Sequence, residues 1–213
     1  MALTLHSDSF FISPYAFSAF VALEEKGVPY TLASVSLPDG QHHRADYKDR
    51  ALIGRVPALE HDGFWLSESG AIVEYLDDRF APPDYRRALP EDIQDRARAR
   101  MVMHWIRSDM MPIREERSTY TMFYERATQP LSPAGEAAAA RLIEIAERLL
   151  PAGATSLFGA WSIADSDLAF MLQRLIMNGH AVPARVRAFV DAQWQRPSVQ
   201  KWVRRERLPY VPY

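Results

Sequence analysis

The spacing of apolar positions changes character near residue 80. Leu3-Thr4-Leu5-His6 alternates and predicts a short strand. Ser13-Pro14 then offers a helix start, with proline tolerated in the first turn. Phe17, Phe20, Val21 and Leu23 continue at helical spacing as far as Gly27, a residue suited to a helix end. Residues 30–35 are rich in β-formers and predict a second strand, and Pro38-Asp39-Gly40 is turn chemistry. A weaker helical stretch follows. Residues 56–61 read as extended, Asp62-Gly63 as a two-residue hairpin, and Phe64-Trp65-Leu66 as the returning strand. From Ser67 or Ser69 a stripe of Ile72, Tyr75 and Leu76 predicts a helix to about Phe80.

The order β-α-β-α-β-β-α, a parallel pair followed by an antiparallel hairpin, predicts an α/β thioredoxin-like domain over residues 1–80. Ala81-Pro82-Pro83-Asp84 breaks the pattern, so residues 81–89 are expected to be a linker. Beyond it no strand pattern occurs, and residues 90–213 are expected to form an all-α domain. Residues 91–125 read as one long helix or two, kinked at Pro112. Further helices are expected at about 133–150, 163–178, 184–195 and 198–207.

Composition narrows the chemistry. Of 213 residues, 48% are apolar and 24% charged, an ordinary globular balance, and no apolar run reaches the length of a membrane span. The first residues lack the basic start and apolar stretch of a secretory signal, so the cytoplasm is the expected location. Net charge is −2, which gives no global attraction for nucleic acid. Residues 1–80 carry 6 basic and 12 acidic side chains and the remainder 19 and 15, a change of sign that fits two domains. There is no cysteine, so any thiol chemistry must use a thiol that arrives with a substrate.

Five segments carry candidate chemistry, each with a plainer alternative. Ser13 stands at a helix N-terminus, where a hydroxyl and backbone N–H groups favour an anion, or where it simply caps. In Arg55-Val56-Pro57, a cis bond at Pro57 would leave the Val56 backbone free to pair with an extended ligand; an ordinary trans proline is the alternative. Glu68 and Ser69 could grip the two ends of an amino acid or cap a helix. His42 and His43, with Arg55, could face a carboxylate or form a solvated stretch. No metal is expected, because adjacent histidines rarely share one ligand face. Ser162-Ile163-Ala164-Asp165 is a capping box and reads as structural. Arg96, Arg98 and Arg100 do not share a helix face and read as surface. The five tryptophans read as mostly core. Neither a Gly-x-Ser-x-Gly elbow nor a phosphate-binding glycine loop is present, which excludes the familiar hydrolase and nucleotide patterns.

Together, Ser13-Pro14-Tyr15, residues 22–30 (Ala-Leu-Glu-Glu-Lys-Gly-Val-Pro-Tyr), residues 54–59 (Gly-Arg-Val-Pro-Ala-Leu) and residues 66–72 (Leu-Ser-Glu-Ser-Gly-Ala-Ile) resemble the N-terminal domain of cytosolic glutathione S-transferases. Residues 162–165 look like that family's helical-domain capping motif. Residues 79–83, 107–109 and 111–117 resemble its serine-type, bacterial YfcF-like branch. The resemblance implies that Ser13 hydrogen-bonds the glutathione sulfur and that Val56 pairs with the cysteinyl part, its peptide to Pro57 being cis. It implies that Glu68 and Ser69 hold the γ-glutamyl end, and that Arg55 and His42 or His43 face the glycyl carboxylate. It also implies a cleft for a hydrophobic electrophile or hydroperoxide, lined by Phe10, Tyr15, Trp105 and Met111, and a homodimer. The alternatives are a glutathione-binding carrier without turnover and a glutathione-dependent isomerase. Two departures stand out: no cysteine lies at or near Ser13, and Ser166 is polar where an apolar partner for Trp161 would complete a staple.

Overall fold

In the computed structural model, which describes residues 2–213, the alternating N-terminal segment is β1 (Leu3–Asp8), with Leu3 and Leu5 buried. It pairs in parallel with β2 (Thr31–Val35) and antiparallel with β3 (Ala58–His61), which pairs antiparallel with β4 (Phe64–Ser67). The sheet order is β2-β1-β3-β4, the thioredoxin-like arrangement expected. Leu32, Leu5, Leu59 and Leu66 stand opposite one another across it and share a face. The Asp62-Gly63 turn has φ of 48° and 88°, as a tight hairpin requires.

α1 (Pro14–Lys26) and α3 (Ser69–Arg79) pack together against one face of this sheet. α1 begins at the Ser13 cap and ends at Gly27, whose φ of 70° suits glycine and whose N–H closes onto the Leu23 and Glu24 carbonyls. α2 (Ala45–Ala51) supplies Tyr47 and Ala51, which are buried with Val35 and Ala58 on the opposite face. The weak helical signal between β2 and β3 is thus a real helix, preceded by a short 3₁₀ turn at Gln41–His43.

The second unit is helical: α4 (Ile93–Ser108), α5 (Met111–Glu116), α6 (Tyr120–Phe123), α7 (Pro133–Leu149), α8 (Ile163–Met177) and α9 (Ala184–Trp194); α10 (Pro197–Val203) follows in the chain. α8 is buried from Ile163 through Leu175 and is the unit's central helix. Its capping box is formed: Asp165 accepts from the Ser162 N–H at 2.7 Å, the Ser162 hydroxyl at 3.1 Å and the Leu157 N–H at 2.6 Å.

Two expectations, on residues 91–125 and on the tryptophans, are corrected. Residues 91–125 are three helices, and Pro112 lies in the first turn of α5, where its missing N–H costs nothing, so it starts a helix instead of kinking one. By its contacts the chain forms two compact units, residues 1–88 with 201–213 and residues 89–200. The segment expected as a linker is held by Lys26, whose ammonium donates to the Arg86 carbonyl at 2.7 Å, and by Asp77, which accepts from the Ala88 N–H at 2.6 Å. Trp202 is the fully buried tryptophan, packed on Phe17 and Phe20, while the other four are half-buried. Ser166, polar where an apolar staple partner would stand, accepts from the Trp161 indole N–H at 3.1 Å.

Candidate functional site at one end of the sheet

Topology gathers the candidate residues of the first unit. His6, Ala58 and Ser67 stand in one row across β1, β3 and β4, and Asp8 stands opposite Val35. The chain leaving β1 and β2, entering β3 and leaving β4 therefore emerges at the same sheet end. With strands about 4.8 Å apart, the segments carrying Ser13, His42, Val56 and Glu68 begin side by side. An elongated, peptide-sized ligand suits that spacing.

Ser13 follows a tightly held loop. Asp8 is fully buried, and its Oδ2 accepts from the Ile12 N–H at 2.9 Å while Oδ1 accepts from the Ser13 N–H at 3.1 Å. Burial pushes the Asp8 carboxyl above its ordinary value, and the hydrogen bonds from Ile12, Ser13 and Ser7 offset only part of that rise. Phe11 sits at φ 50°, unusual for a non-glycine residue. From the far end of the chain, Arg207 donates to the Phe11 carbonyl at 3.2 Å and the Arg205 guanidinium lies 4.3 Å from the Phe11 ring centre.

The Ser13 hydroxyl does cap α1, accepting from the Ala16 N–H at 3.2 Å. That bond uses a lone pair, so the O–H remains a donor, and among the described residues none accepts it. The capping and donor roles of this serine are compatible.

The Val56–Pro57 peptide is cis. Among the described residues, none bonds to the Val56 main chain, whereas the preceding Arg55 carbonyl accepts from the Tyr47 hydroxyl at 2.8 Å. Burial raises the Tyr47 phenol far above its ordinary value, keeping it a donor. Arg55 is exposed and carries no ion pair to the described residues.

Glu68 has φ 67° and ψ 116°, a conformation that L residues rarely adopt, and an exposed carboxylate without a donor among the described residues. Its carbonyl accepts from Ile72 at 2.9 Å and so starts α3, while Ser69 is buried at the first helical position.

The His42 and His43 rings lie against each other, tilted by 42° with centres 3.7 Å apart. Desolvation, with the neighbouring His43, holds His42 below its ordinary value and so favours the neutral imidazole. Its Nδ1 is sealed from solvent without a partner among the described residues.

The pocket residues fare differently. Phe10 is buried under the Tyr210 and Tyr213 rings, 5.3 and 6.2 Å away, and is not an open wall in this arrangement. Tyr15 is half-buried in the first unit. Trp105 and Met111 belong to the second; the Trp105 indole N–H is enclosed without a partner among the described residues, and Met111 is 43% exposed. Among the described residues no group of three or more His, Asp or Glu side chains could hold a metal ion, and no helix is long and apolar enough to cross a membrane.

Comparison with known proteins matches this arrangement. Residues 12–79 match the family model described as "Glutathione S-transferase, N-terminal domain", and residues 92–206 match "Glutathione S-transferase, C-terminal domain". A glutathione transferase homologue from Burkholderia gl BGR1, solved with bound glutathione, is 40% identical, with 95% of this chain and 97% of that one covered and a TM-score of 0.80. Human glutathione S-transferase theta-2 is 31% identical over 105 residues, 49% of this chain and 41% of the relative. Maleylacetoacetate isomerase of Rattus norvegicus is 34% identical over 107 residues, 49% of this chain and 48% of the relative. The chain thus matches less than half the length of these curated relatives. Both halves of the family pattern are nevertheless present in order, on the fold that carries them, and the chain belongs to the glutathione S-transferase family.

Proposed function

We propose that this protein is a serine-type glutathione transferase in which the Ser13 hydroxyl stabilises the glutathione thiolate. The observation that supports this most directly is the Ser13 hydroxyl, capped through its lone pair by Ala16 N–H and left with a proton to donate. A free thiol of pKa near 8.5 is only about 3% thiolate at pH 7, whereas a pKa of about 6.5 makes roughly three quarters thiolate. That shift corresponds to about 2.7 kcal/mol, within reach of one charge-assisted hydrogen bond of roughly 1.5–3 kcal/mol helped by a helix N-terminus.

In this reading the Val56 backbone, without a partner among the described residues, meets the cysteinyl part of glutathione, Glu68 and Ser69 hold its γ-glutamyl end, and Arg55 meets the glycyl carboxylate, with His42 or His43 beside it. The thiolate attacks an electrophilic carbon, forming a C–S bond as the leaving group departs with its electron pair. With a hydroperoxide it attacks the outer oxygen, releasing an alcohol, and a second glutathione then yields the disulfide and water. Tyr15, two residues after Ser13, is the first-unit residue we assign to the second substrate. A cytoplasmic homodimer completes the reading. The similarity to a maleylacetoacetate isomerase favours a second reading, in which the same thiolate adds to the substrate and is later expelled.

The test is a glutathione titration that follows the ultraviolet thiolate band against pH, with Ser13→Ala beside the parent. A thiol pKa well below its free value that rises in Ser13→Ala supports activation. Binding without a lowered pKa would leave a carrier. Product analysis separates conjugation, peroxide reduction and isomerisation.

A further inference from the structure

We propose that Asp8 is the positioning residue for the Ser13 hydroxyl, its two carboxylate oxygens clamping the N–H groups of Ile12 and Ser13 so that the serine faces the ligand in one orientation. The inference rests on the Ser13 reading above and adds a residue to it.

A fully buried carboxylate is costly, so its partners say what it is for. Asp8 meets the loop it precedes on both oxygens: Ile12 N–H on Oδ2 at 2.9 Å, Ser13 N–H on Oδ1 at 3.1 Å, and the Ser7 hydroxyl on Oδ1 at 3.1 Å. Its own carbonyl accepts from the Phe11 N–H at 3.1 Å, and Ser9 N–H extends the β2 pairing to Val35 at 3.0 Å. Ser13 is therefore gripped at two atoms, its N–H by Asp8 and its Oγ by Ala16 N–H, which fixes it at φ −62° and ψ 119°. Asparagine cannot replace this clamp. It has one acceptor oxygen, and its NH₂ would confront whichever N–H the lost oxygen had received.

Ionised, Asp8 would also bring negative charge to the loop that carries Ser13, which gives the test its sign. A negative charge near a thiolate raises the thiol pKa, so if Asp8 acted through charge alone, its removal would lower that pKa. If Asp8 positions the Ser13 donor, its removal raises it.

The experiment compares parent, Asp8→Asn, Ser13→Ala and the double variant by thiolate titration and steady-state kinetics, with folding checked by circular dichroism. In Asp8→Asn we expect glutathione affinity to change by less than about threefold, while a rise in bound thiol pKa from about 6.5 to about 7.5 leaves about threefold less thiolate at pH 7 and lowers kcat in proportion. The double variant should titrate like Ser13→Ala alone. A thiol pKa that falls or stays constant in Asp8→Asn, or a further rise in the double variant, overturns the positioning role while leaving Ser13 activation intact. A parent that binds glutathione without a lowered thiol pKa overturns the Ser13 reading, and this one with it. Should Asp8→Asn not fold, Asp8→Glu keeps the charge and moves the oxygens: a raised thiol pKa supports positioning, and an unchanged one overturns it.

Discussion

Lys26 donates to Asp77 at 3.0 Å, with side-chain exposures of only 0% and 3%. The same ammonium reaches the Arg86 carbonyl, and the same carboxylate receives the Ala88 N–H and lies 3.7 Å from Arg87 Nη1. One ion pair thus ties the ends of α1 and α3 to the chain that leaves the first unit. Burial pushes the Lys26 amine below its ordinary value, and Asp77 raises it back.

Removing one partner of such a pair strands the other away from water. Lys26→Met and Asp77→Leu are each expected to cost about 3–5 kcal/mol in urea unfolding. The double variant should cost less than the sum by about 1 kcal/mol or more, the coupling of groups in direct contact. Strictly additive losses would show that the pairing itself contributes nothing.

The elements that the sequence announced were those set by local rules. Ser13-Pro14 and Gly27 mark the ends of α1, Asp62-Gly63 is a hairpin because its φ values demand it, and Ser162 to Asp165 closes its own capping box. The four segments at the sheet end were legible through their order, which fixes the topology that brings them together. What escaped was what periodicity does not encode. Val102, Met103, Ile106, Met110 and Ile113 are all buried and keep a helical stripe running across the break between α4 and α5. Asp8 carries no pattern that marks its role, because bonds from a side chain to backbone four and five residues on leave no repeating signature. The return of Trp202, Arg205 and Arg207 to Phe11 joins residues nearly two hundred positions apart.

The central helix has a pH signature. Burial pushes the Asp165 carboxyl from 3.8 up to about 6, against the pull of the Ser162 and Leu157 donors. Because the folded value exceeds the unfolded one, its stabilising contribution is full below about pH 3.8 and is lost as pH rises through about 6. Denaturant unfolding at pH 7 and pH 5 should therefore show this group adding about 1 kcal/mol at the lower value. In Asp165→Asn that increment should vanish. Overall stability should also drop by about 1–2 kcal/mol, since the amide cannot accept from both Ser162 and Leu157 N–H. An increment that survives the substitution would assign it to other buried carboxyls, of which Asp8 shifts in the same direction.

Glu68 offers a test in which stability and binding move oppositely. Its φ of 67° and ψ of 116° suit glycine, and a non-glycine residue held in such a region costs roughly 1–3 kcal/mol. Glycine would relieve that strain but lose about 0.5–1 kcal/mol to the greater freedom of the unfolded chain. Glu68→Gly is thus expected to stabilise by about 1 kcal/mol, a rise in Tm of about 2–4 °C for a chain of this size. The exposed carboxylate, however, is the group assigned to the γ-glutamyl ammonium. Losing a charge-assisted bond of about 1.5–3 kcal/mol should weaken glutathione binding by roughly ten- to a hundredfold. Glu68→Gln separates the two effects, because it keeps the side chain and its backbone strain while removing the charge. Its Tm should stay near the parent's, and its glutathione affinity should fall. A glycine variant that is more stable and still binds like the parent would detach the strained backbone from ligand recognition and move the γ-glutamyl contact to Ser69.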